Sequence, residues 1–217
     1  MAEVVIAVRG GEAAKSRYGD LVAAEHRPAF VEAMLTDMLR AIAQAPSVSR
    51  VRVVTPTPEI AALARAMGAE VVPEVETRGL NAAFNLGREQ VAHDDPTATV
   101  VLLPGDLPGL DPRDLEAVTA AAQPGRVVMV RAARDGGTGA LAFPAALPLP
   151  LSYGSDSFAK HLAGVRALGL EPHEIQAQSL AHDLDRPGDL REWLASHPQG
   201  AAAALMSRLA APAGTAA

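Results

Sequence analysis

Residues 98–108 read ATVVLLPGDLP and carry the clearest structural signal in the chain. Five of the six residues from 98 to 103 are apolar, which is typical of a short strand buried in the middle of a sheet. Pro104 and Pro108 then enclose a constrained loop around Asp106. The stretch therefore predicts a central strand that ends at a carboxylate.

Strand and helix patterns alternate on both sides of this strand. Short apolar runs predict further strands at residues 4–8, 51–55, 70–72, 127–131, 140–143 and 180–184. Helical spacing and capping residues predict helices at residues 28–44, 59–67, 80–92, 111–122, 156–168 and 187–195. The alternation predicts a three-layer α/β fold, in which helices cover both faces of a mostly parallel sheet. We expect residues 1–198 to form a single domain and the Ala-rich residues 199–217 to form a frayed C-terminal tail.

The composition excludes several classes of function. The formal net charge of −6 argues against binding to a nucleic-acid backbone, and the absence of cysteine excludes disulfides and thiolate metal sites. No apolar run approaches the length of a membrane span, and no early stretch has the pattern of a signal peptide. The sequence therefore predicts a cytoplasmic protein that binds neither nucleic acid nor membrane.

The loop after the first predicted strand combines glycines with positive charge. Gly10 and Gly11 allow a close backbone approach to phosphate, and Lys15 and Arg17 add two cations. In a parallel sheet, the carboxyl end of a strand is where ligands bind. The loop matches neither the P-loop pattern nor the dinucleotide-binding pattern. These residues alone fit a nucleotide-binding loop and a solvated loop with two surface cations equally well.

Three aspartates are candidate metal ligands. Asp106 follows the most apolar strand, and on a strand Asp183 and Asp185 would point to the same face. Carboxylate oxygens are the ligands that Mg²⁺ prefers in proteins. As alternatives, Asp106 could cap a turn, and Asp185 could cap the helix that begins near residue 187, which would leave Asp183 alone at the site.

Two later loops offer contacts to an anion. Residues 135–139, DGGTG, place bare N–H groups beside the hydroxyl of Thr138. Gly154 and Ser157 lie near the predicted start of the helix at 156–168, where N–H groups and the positive end of the helix dipole face the loop. The alternatives are an ordinary glycine-rich hairpin and a plain helix cap.

The segment that opens the helix at 80–92 is a further candidate. Gly79 precedes this helix and Asn81 lies in its first turn, where an amide can contact a base or a ribose. The six histidines lack the spacing of zinc ligands, and no serine-nucleophile motif is present. The predicted chemistry therefore depends on positioning and charge neutralisation.

Taken in order, these segments resemble a known family. They are KSR at 15–17, MLTDML at 34–39, VVT at 53–55, GLN at 79–81, PGDLP at 104–108, GGT at 136–138, YG at 153–154, SFAKH at 157–161 and DLD at 183–185. From residue 4 to about residue 195, the set is similar to the 2-phospho-L-lactate and phosphoenolpyruvate guanylyltransferases of deazaflavin coenzyme (F-420) biosynthesis. The resemblance implies a fold like that of the nucleotide-diphospho-sugar (GT-A) transferases.

The resemblance also implies a reaction and its participants. GMP would pass from GTP to the phosphate of phosphoenolpyruvate, 2-phospho-L-lactate or 3-phosphoglycerate, with release of pyrophosphate. A downstream deazaflavin-transferring enzyme would consume the product, and a homodimer is left open. The implied sites are Mg²⁺ on Asp106, Asp183 and Asp185; triphosphate on Lys15 and Arg17; nucleotide on Gly10, Gly11, Gly79 and Asn81; and acceptor on Thr138, Gly154 and Ser157.

The chain departs from the family pattern at several positions. Gly139 stands where the resemblance predicts an asparagine after Gly-Gly-Thr, and Tyr18-Gly19 follows Lys-Ser-Arg where it predicts an apolar residue. The pair Gly10-Gly11 is similar to the start of the loop in molybdopterin nucleotidyltransferases. The alternative functions are therefore a molybdopterin or sugar-phosphate nucleotidyltransferase, and a catalytically silent nucleotide-binding protein on the same fold.

Overall fold

The computed structural model describes residues 1–11, 16–134, 136–196 and 198–210, with the backbone only at residues 16, 17 and 20. Seven strands form one sheet: β1 (Ala2–Ala7), β2 (Val48–Thr55), β3 (Glu70–Pro73), β4 (Thr99–Pro104), β5 (Arg126–Arg131), β6 (Thr138–Pro144) and β7 (Glu171–Glu174). The helices are α1 (Arg27–Ile42), α2 (Pro58–Ala66), α3 (Leu80–Asp94), α4 (Pro112–Ala121), α5 (Ser157–Ala167), α6 (Gln178–Ala181), α7 (Pro187–Ala195) and α8 (Ala201–Ala210). Short 3-10 turns at Ser16–Leu21 and Ala24–His26 precede α1.

The strand order is β3-β2-β1-β4-β6-β5-β7. β1 pairs in parallel with β2 and β4, and β3 pairs in parallel with β2. β6 runs antiparallel to both β4 and β5, and β7 is parallel to β5. The prediction of a mostly parallel sheet is confirmed, and β6 runs against the other strands of the described sheet.

Two apolar clusters lie on opposite faces of the sheet. Val4 and Ile6 of β1 face the cluster that contains α1, α2, α4 and α6–α8, whereas Val5 and Ala7 face the cluster under α3 and α5. This alternation of side chains along a strand gives the predicted three layers. Among the described helices, none is long and apolar enough to cross a bilayer.

The predicted strand at residues 180–184 is wrong. The chain forms the short helix α6 there, and residues 182–186 follow without regular structure. Asp114 of α4 accepts hydrogen bonds from the Ser179 backbone N–H and hydroxyl, both at 2.7 Å. A short apolar run is compatible with helix or strand, and here a side chain distant in sequence stabilises the helix.

Gly139 allows α6 to lie against β6. A Cβ atom at position 139 would stand 2.0 Å from the carbonyl oxygen of Leu180. The glycine that departs from the family pattern is therefore required by the backbone of α6. Where the asparagine was expected, no side chain fits without displacing this helix.

The expectation of a frayed segment after residue 198 is wrong for residues 201–210. These residues form α8, whose side chains Ala202 and Met206 are buried against the α1 layer. Asp37 of α1 accepts the N–H groups of Ala201 and Ala202 at 2.7 and 2.9 Å. The carboxylate thus caps the first turn of α8 from outside the helix.

Candidate active site

Asp106 lies beside the carboxyl end of the central strand β1. Gly105 precedes it, and a Cβ atom at Gly105 would stand 2.6 Å from Cβ of Val8 and 3.0 Å from the carbonyl oxygen of Ala7. Only glycine allows this close approach. The loop after β4 therefore holds the Asp106 carboxylate at the edge where ligands bind in such sheets.

Leu184 connects a distant segment to this loop. Its backbone N–H donates to the carbonyl oxygen of Asp106 at 3.0 Å, and its carbonyl oxygen accepts a hydrogen bond from the hydroxyl of Tyr18. The Leu184 side chain is itself buried in the core. Because Leu184 is fixed at its N–H, carbonyl and side chain, its neighbours Asp183 and Asp185 are held close to Asp106.

The three predicted carboxylates meet in space. Asp106, Asp183 and Asp185 each offer an oxygen atom, these atoms lie within 4.8 Å of one another, and all three residues are half-buried. The pKa of Tyr18 is raised by burial and then by the negative charges of the surrounding aspartates, Asp106 foremost. Three hard oxygen ligands in a negative field are the donor set that suits Mg²⁺.

The capping alternative for Asp185 does not describe the start of α7. Asp189 accepts the backbone N–H of Arg186 at 2.7 Å and that of Asp185 at 3.2 Å. Arg134, which follows β5, pairs with the other oxygen of Asp189 at 3.1 Å. Asp189 therefore acts as the cap, and the side chain of Asp185 joins the carboxylate cluster. Asp183 and Asp185 therefore lie close to Asp106, although they are not on the strand that was expected there.

The predicted acceptor hydroxyls form a buried network. Ser157 Oγ donates to Thr138 Oγ1 at 3.1 Å, and Thr138 Oγ1 lies 2.9 Å from Nδ1 of His161. All three residues are at most 5% exposed. Ser152 donates its backbone N–H to Nε2 of the same imidazole at 2.9 Å. Three segments of chain, β6, the loop at Ser152 and α5, therefore meet at one histidine ring.

The network fixes the direction of each hydrogen bond. Burial lowers the pKa of His161 from 6.5 to about 4, so the ring is neutral at pH 7. Because Nε2 accepts from Ser152, the ring hydrogen is on Nδ1 and is donated to Thr138. The Thr138 oxygen thus accepts from both His161 and Ser157. Its own hydrogen therefore points away from both of these groups.

Asn81 contacts backbone in the structure. Its amide donates to the carbonyl oxygen of Tyr153 at 3.1 Å and accepts the Tyr153 N–H at 2.7 Å. Asn81 thereby holds the start of α3 to the loop that contains Gly154, whose φ of +124° favours glycine. The predicted contact between Asn81 and the nucleoside stays a prediction. The contact seen here positions the loop that contains Gly154.

The first glycine loop is described only in part. Lys15 and the side chain of Arg17 lie outside the described residues. The N–H of Gly10 donates to Thr57 Oγ1 at 3.0 Å, and a Cβ atom there would stand 2.9 Å from Thr57 Cγ2. Gly11 and Gly79 have φ values of +88° and +102°. The proposed phosphate and nucleoside contacts of this loop stay predictions.

Two contributions to the site were not assigned from the sequence. His161 was noted only within a resembling segment, although its spacing of four from Ser157 places both on one face of α5. Tyr18 was noted only as a departure from the family pattern, yet its buried hydroxyl holds Leu184. The helical spacing was a usable signal for His161, whereas nothing local indicated the role of Tyr18.

A cavity lies beside the carboxylate cluster. It has a volume of about 700 Å³ and opens between the loop after β4, α6 and α7. Asp111, Asp114 and Asp183 contribute to its wall, together with Arg134. Several negative side chains would oppose the binding of a triphosphate in this cavity.

Comparisons with known proteins identify the family of this chain. The sequence model of a family described as guanylyl transferase CofC like matches residues 2–208. The 3-phospho-D-glycerate guanylyltransferase of Phenylobacterium zucineum is 47% identical over 194 residues, 88% of this chain and 89% of that protein. The phosphoenolpyruvate guanylyltransferase of Sphaerobacter thermophilus is 32% identical and covers 91% of this chain and 94% of its own length.

A solved structure supports the fold. A chain from Desulfovibrio desulfuricans G20, assigned to the nucleotide-diphospho-sugar transferases, superposes with a TM-score of 0.74 over 96% of this chain and 95% of that chain. Its sequence identity is 16%, so the likeness concerns the fold alone. The fold predicted from the resemblance is thereby confirmed.

Proposed function

We propose that this chain, which belongs to the CofC-like guanylyl transferase family, transfers GMP from GTP to the phosphate of 3-phospho-D-glycerate and releases pyrophosphate. The observation that carries the proposal is the cluster of three carboxylates, found together with a neutral hydroxyl network in a chain that the family model matches over residues 2–208. The choice of acid is supported by the 47% identity to a relative of that name, against 32% for a relative named for phosphoenolpyruvate.

The carboxylate cluster would hold the cation. Asp106, Asp183 and Asp185 offer oxygen atoms within 4.8 Å of one another, which fits Mg²⁺. Bound Mg²⁺ supplies positive charge that offsets the repulsion between two anionic substrates and the charge that develops at the α-phosphorus. In the ligand-free state the same carboxylates repel each other, so cation binding and substrate binding are expected to support each other.

The buried network would hold the acid. Thr138 directs its hydroxyl hydrogen away from His161 and Ser157, and a phosphate or carboxylate oxygen can accept it. The ring of His161 is neutral at pH 7, so recognition here depends on directed donors. The Gly154 loop, held by Asn81, would close over the same anion.

The transfer needs no side-chain nucleophile. An oxygen of the acceptor phosphate, already ionised at neutral pH, attacks the α-phosphorus of GTP in line with the departing pyrophosphate. One phosphorus–oxygen bond forms as another breaks, and no proton has to be removed. Lys15 and Arg17 would neutralise the triphosphate during this step. A downstream enzyme in the cytoplasm would then consume the activated acid.

The test is a comparison of acceptors. We would measure pyrophosphate release with GTP, Mg²⁺ and each of 3-phosphoglycerate, phosphoenolpyruvate, 2-phospho-L-lactate and glucose 1-phosphate. We expect 3-phosphoglycerate to have the highest kcat/KM. Glucose 1-phosphate should react poorly, because its neutral ring leaves unpaired the hydrogen-bond donors that would bind the carboxylate of the acid. If glucose 1-phosphate is the best acceptor, the sugar-phosphate alternative replaces this proposal.

A further inference from the structure

A second cavity lies at the carboxyl ends of β1 and β3, away from the carboxylate cluster. Its volume is about 200 Å³. It is lined by Ala7, Val8, Arg9, Glu74, Leu80 and Ala83. The loop that continues from Arg9 leads through Gly10 and Gly11 towards Lys15. The cavity is therefore adjacent to the segment proposed for the triphosphate, and it is small enough to suit a single planar base.

Glu74 is the unusual member of this lining. It follows β3 directly and is only 6% exposed. One carboxylate oxygen, Oε1, accepts a hydrogen bond from Arg9 Nη2 at 3.0 Å. The other, Oε2, is buried and has no hydrogen-bond partner among the residues that the structure describes. A buried carboxylate oxygen without a donor is costly, so a donor from a ligand would stabilise it.

The remaining walls of the cavity are apolar. Ala7, Val8 and Ala83 are small and buried, whereas Leu80 is a large apolar side chain with 36% exposure. Val75, next to Glu74 in sequence, is 91% exposed. Exposed apolar side chains beside a pocket with one directed polar group are typical of a small-molecule site. Flat apolar contacts on this scale fit the faces of a purine ring.

We propose that Glu74 recognises the guanine base of the nucleotide, accepting its N1–H and its exocyclic N2–H with the buried carboxylate. The inference rests on the proposed function and extends it to the base. Guanine presents two adjacent donors on one edge, and a carboxylate accepts two parallel hydrogen bonds from such a pair. Adenine presents an acceptor at N1, whose lone pair would face the negative oxygen. The same residue thus favours guanine and disfavours adenine.

The role of Asn81 in the structure supports this assignment. The Asn81 amide is already bonded twice to the backbone of Tyr153. Gly79, at the start of the same helix, has no side chain. Within the described lining, Glu74 is therefore the group whose hydrogen-bonding capacity matches a base edge, with Arg9 holding it in place.

The test compares four nucleotides on the full chain by calorimetry without acceptor and by pyrophosphate release with acceptor. GTP carries both donors, ITP lacks the 2-amino group, and XTP replaces it by a carbonyl. We expect the wild type to bind GTP about ten- to a hundredfold more tightly than ITP, XTP or ATP. Glu74→Gln should reverse the order of GTP and XTP, because the amide of Gln can donate to the carbonyl of xanthine and accept its N1–H.

The control is Glu76→Gln, an exposed carboxylate in the same loop that pairs with Arg78. It should leave the order of the four nucleotides unchanged. If Glu74→Gln still prefers GTP over XTP as strongly as the wild type, the inference is overturned. A second measurement uses the wild type alone and so does not depend on whether the variant folds. Equal affinity of the wild type for GTP and ITP also overturns the inference. Selective GTP binding without transfer to any acid would uphold this inference and refute the proposed function.

Discussion

The carboxylate cluster and the histidine network differ in charge and in how the protein holds them. The cluster brings Asp106, Asp183 and Asp185 close together with the help of the buried Leu184, and like charges repel one another in this arrangement. The network of Thr138, Ser157 and His161 is neutral, and its hydrogen bonds are made within the protein. The difference predicts that a cation would complete the cluster, the charged half of the proposed site, whereas the network, its neutral half, is ordered before any ligand arrives.

The largest expected effect concerns the charged half. Asp106→Asn should lower kcat by roughly two to three orders of magnitude, because a proposed metal ligand worth several kcal/mol at the transition state is weakened. The melting temperature should change little, because asparagine has nearly the same size and shape as the half-buried aspartate that it replaces. Pyrophosphate release at saturating Mg²⁺ measures kcat, and calorimetry measures the melting temperature. Asp111→Asn, at a half-buried aspartate paired with Arg113, is the matched control. Near-normal turnover in Asp106→Asn would contradict the metal assignment.

The neutral half should be sensitive to acid. The pKa of His161 is about 4 in the folded chain and 6.5 in the unfolded chain, so between these pH values the unfolded chain binds more protons. The stability contributed by the neutral ring is therefore fully present above about pH 6.5 and is lost as the pH falls towards 4. The loss amounts to about 3 kcal/mol over this window. Urea unfolding at several pH values measures it.

A histidine variant isolates this contribution from the carboxylates, which also titrate in acid. His161→Gln should be less stable at pH 7 and should lose less stability between pH 7 and pH 4 than the wild type. His93→Gln, at an exposed position, should keep the wild-type slope. An unchanged slope in His161→Gln would show that the ring does not control the acid sensitivity.

Removing the Thr138 hydroxyl should separate binding of the acid from binding of GTP. Thr138→Val keeps the side-chain shape but leaves the Nδ1 hydrogen of His161 and the hydroxyl of Ser157 without their acceptor. We expect a stability loss of about 1–3 kcal/mol and a higher KM for the acid, with the KM for GTP little changed. Thr138→Ser should restore the KM for the acid. An equal rise of both KM values in Thr138→Val would place the hydroxyl outside the acceptor site.

The smallest expected effect is a shift in melting temperature with Mg²⁺ alone. At a concentration about tenfold above its Kd, the cation should stabilise the wild type by ~1.4 kcal/mol, or about 3–5 °C. Asp183→Asn should lose most of this shift, whereas Thr138→Ser should retain it. Equal shifts in all three proteins would mean that the cation binds elsewhere.

The fold was largely predictable because local patterns and layer packing agree. Strand and helix alternation predicted the three layers, and the carboxyl-end rule placed Asp106 at the functional edge. The antiparallel direction of β6 and the helix α6 were not predictable, because both depend on contacts between residues distant in sequence. The same is true of α8, where Asp37 supplies the cap and the alanines supply the buried face.

The site was predictable by residue type more than by geometry. The three aspartates were named as a set, yet their meeting depends on Leu184 and Tyr18, whose contacts leave no local pattern. Thr138 and Ser157 were named as contacts to an anion, and their burial and their hydrogen bonds with each other and with His161 were not predicted. Backbone-mediated contacts such as that of Ser152 involve a group that every residue carries, so the sequence does not mark them.

The close approach at Gly139 has a consequence for loop grafting among relatives. A relative with a side chain at this position must hold the α6 backbone farther from β6, and Asp183 lies two residues after the end of α6. The GGTG loop and the segment from 178 to 185 therefore depend on each other structurally and have to be exchanged together. We expect chimaeras that exchange only one of the two segments to misplace Asp183 and Asp185. Chimaeras that exchange both segments should have the activity of the relative that supplied them.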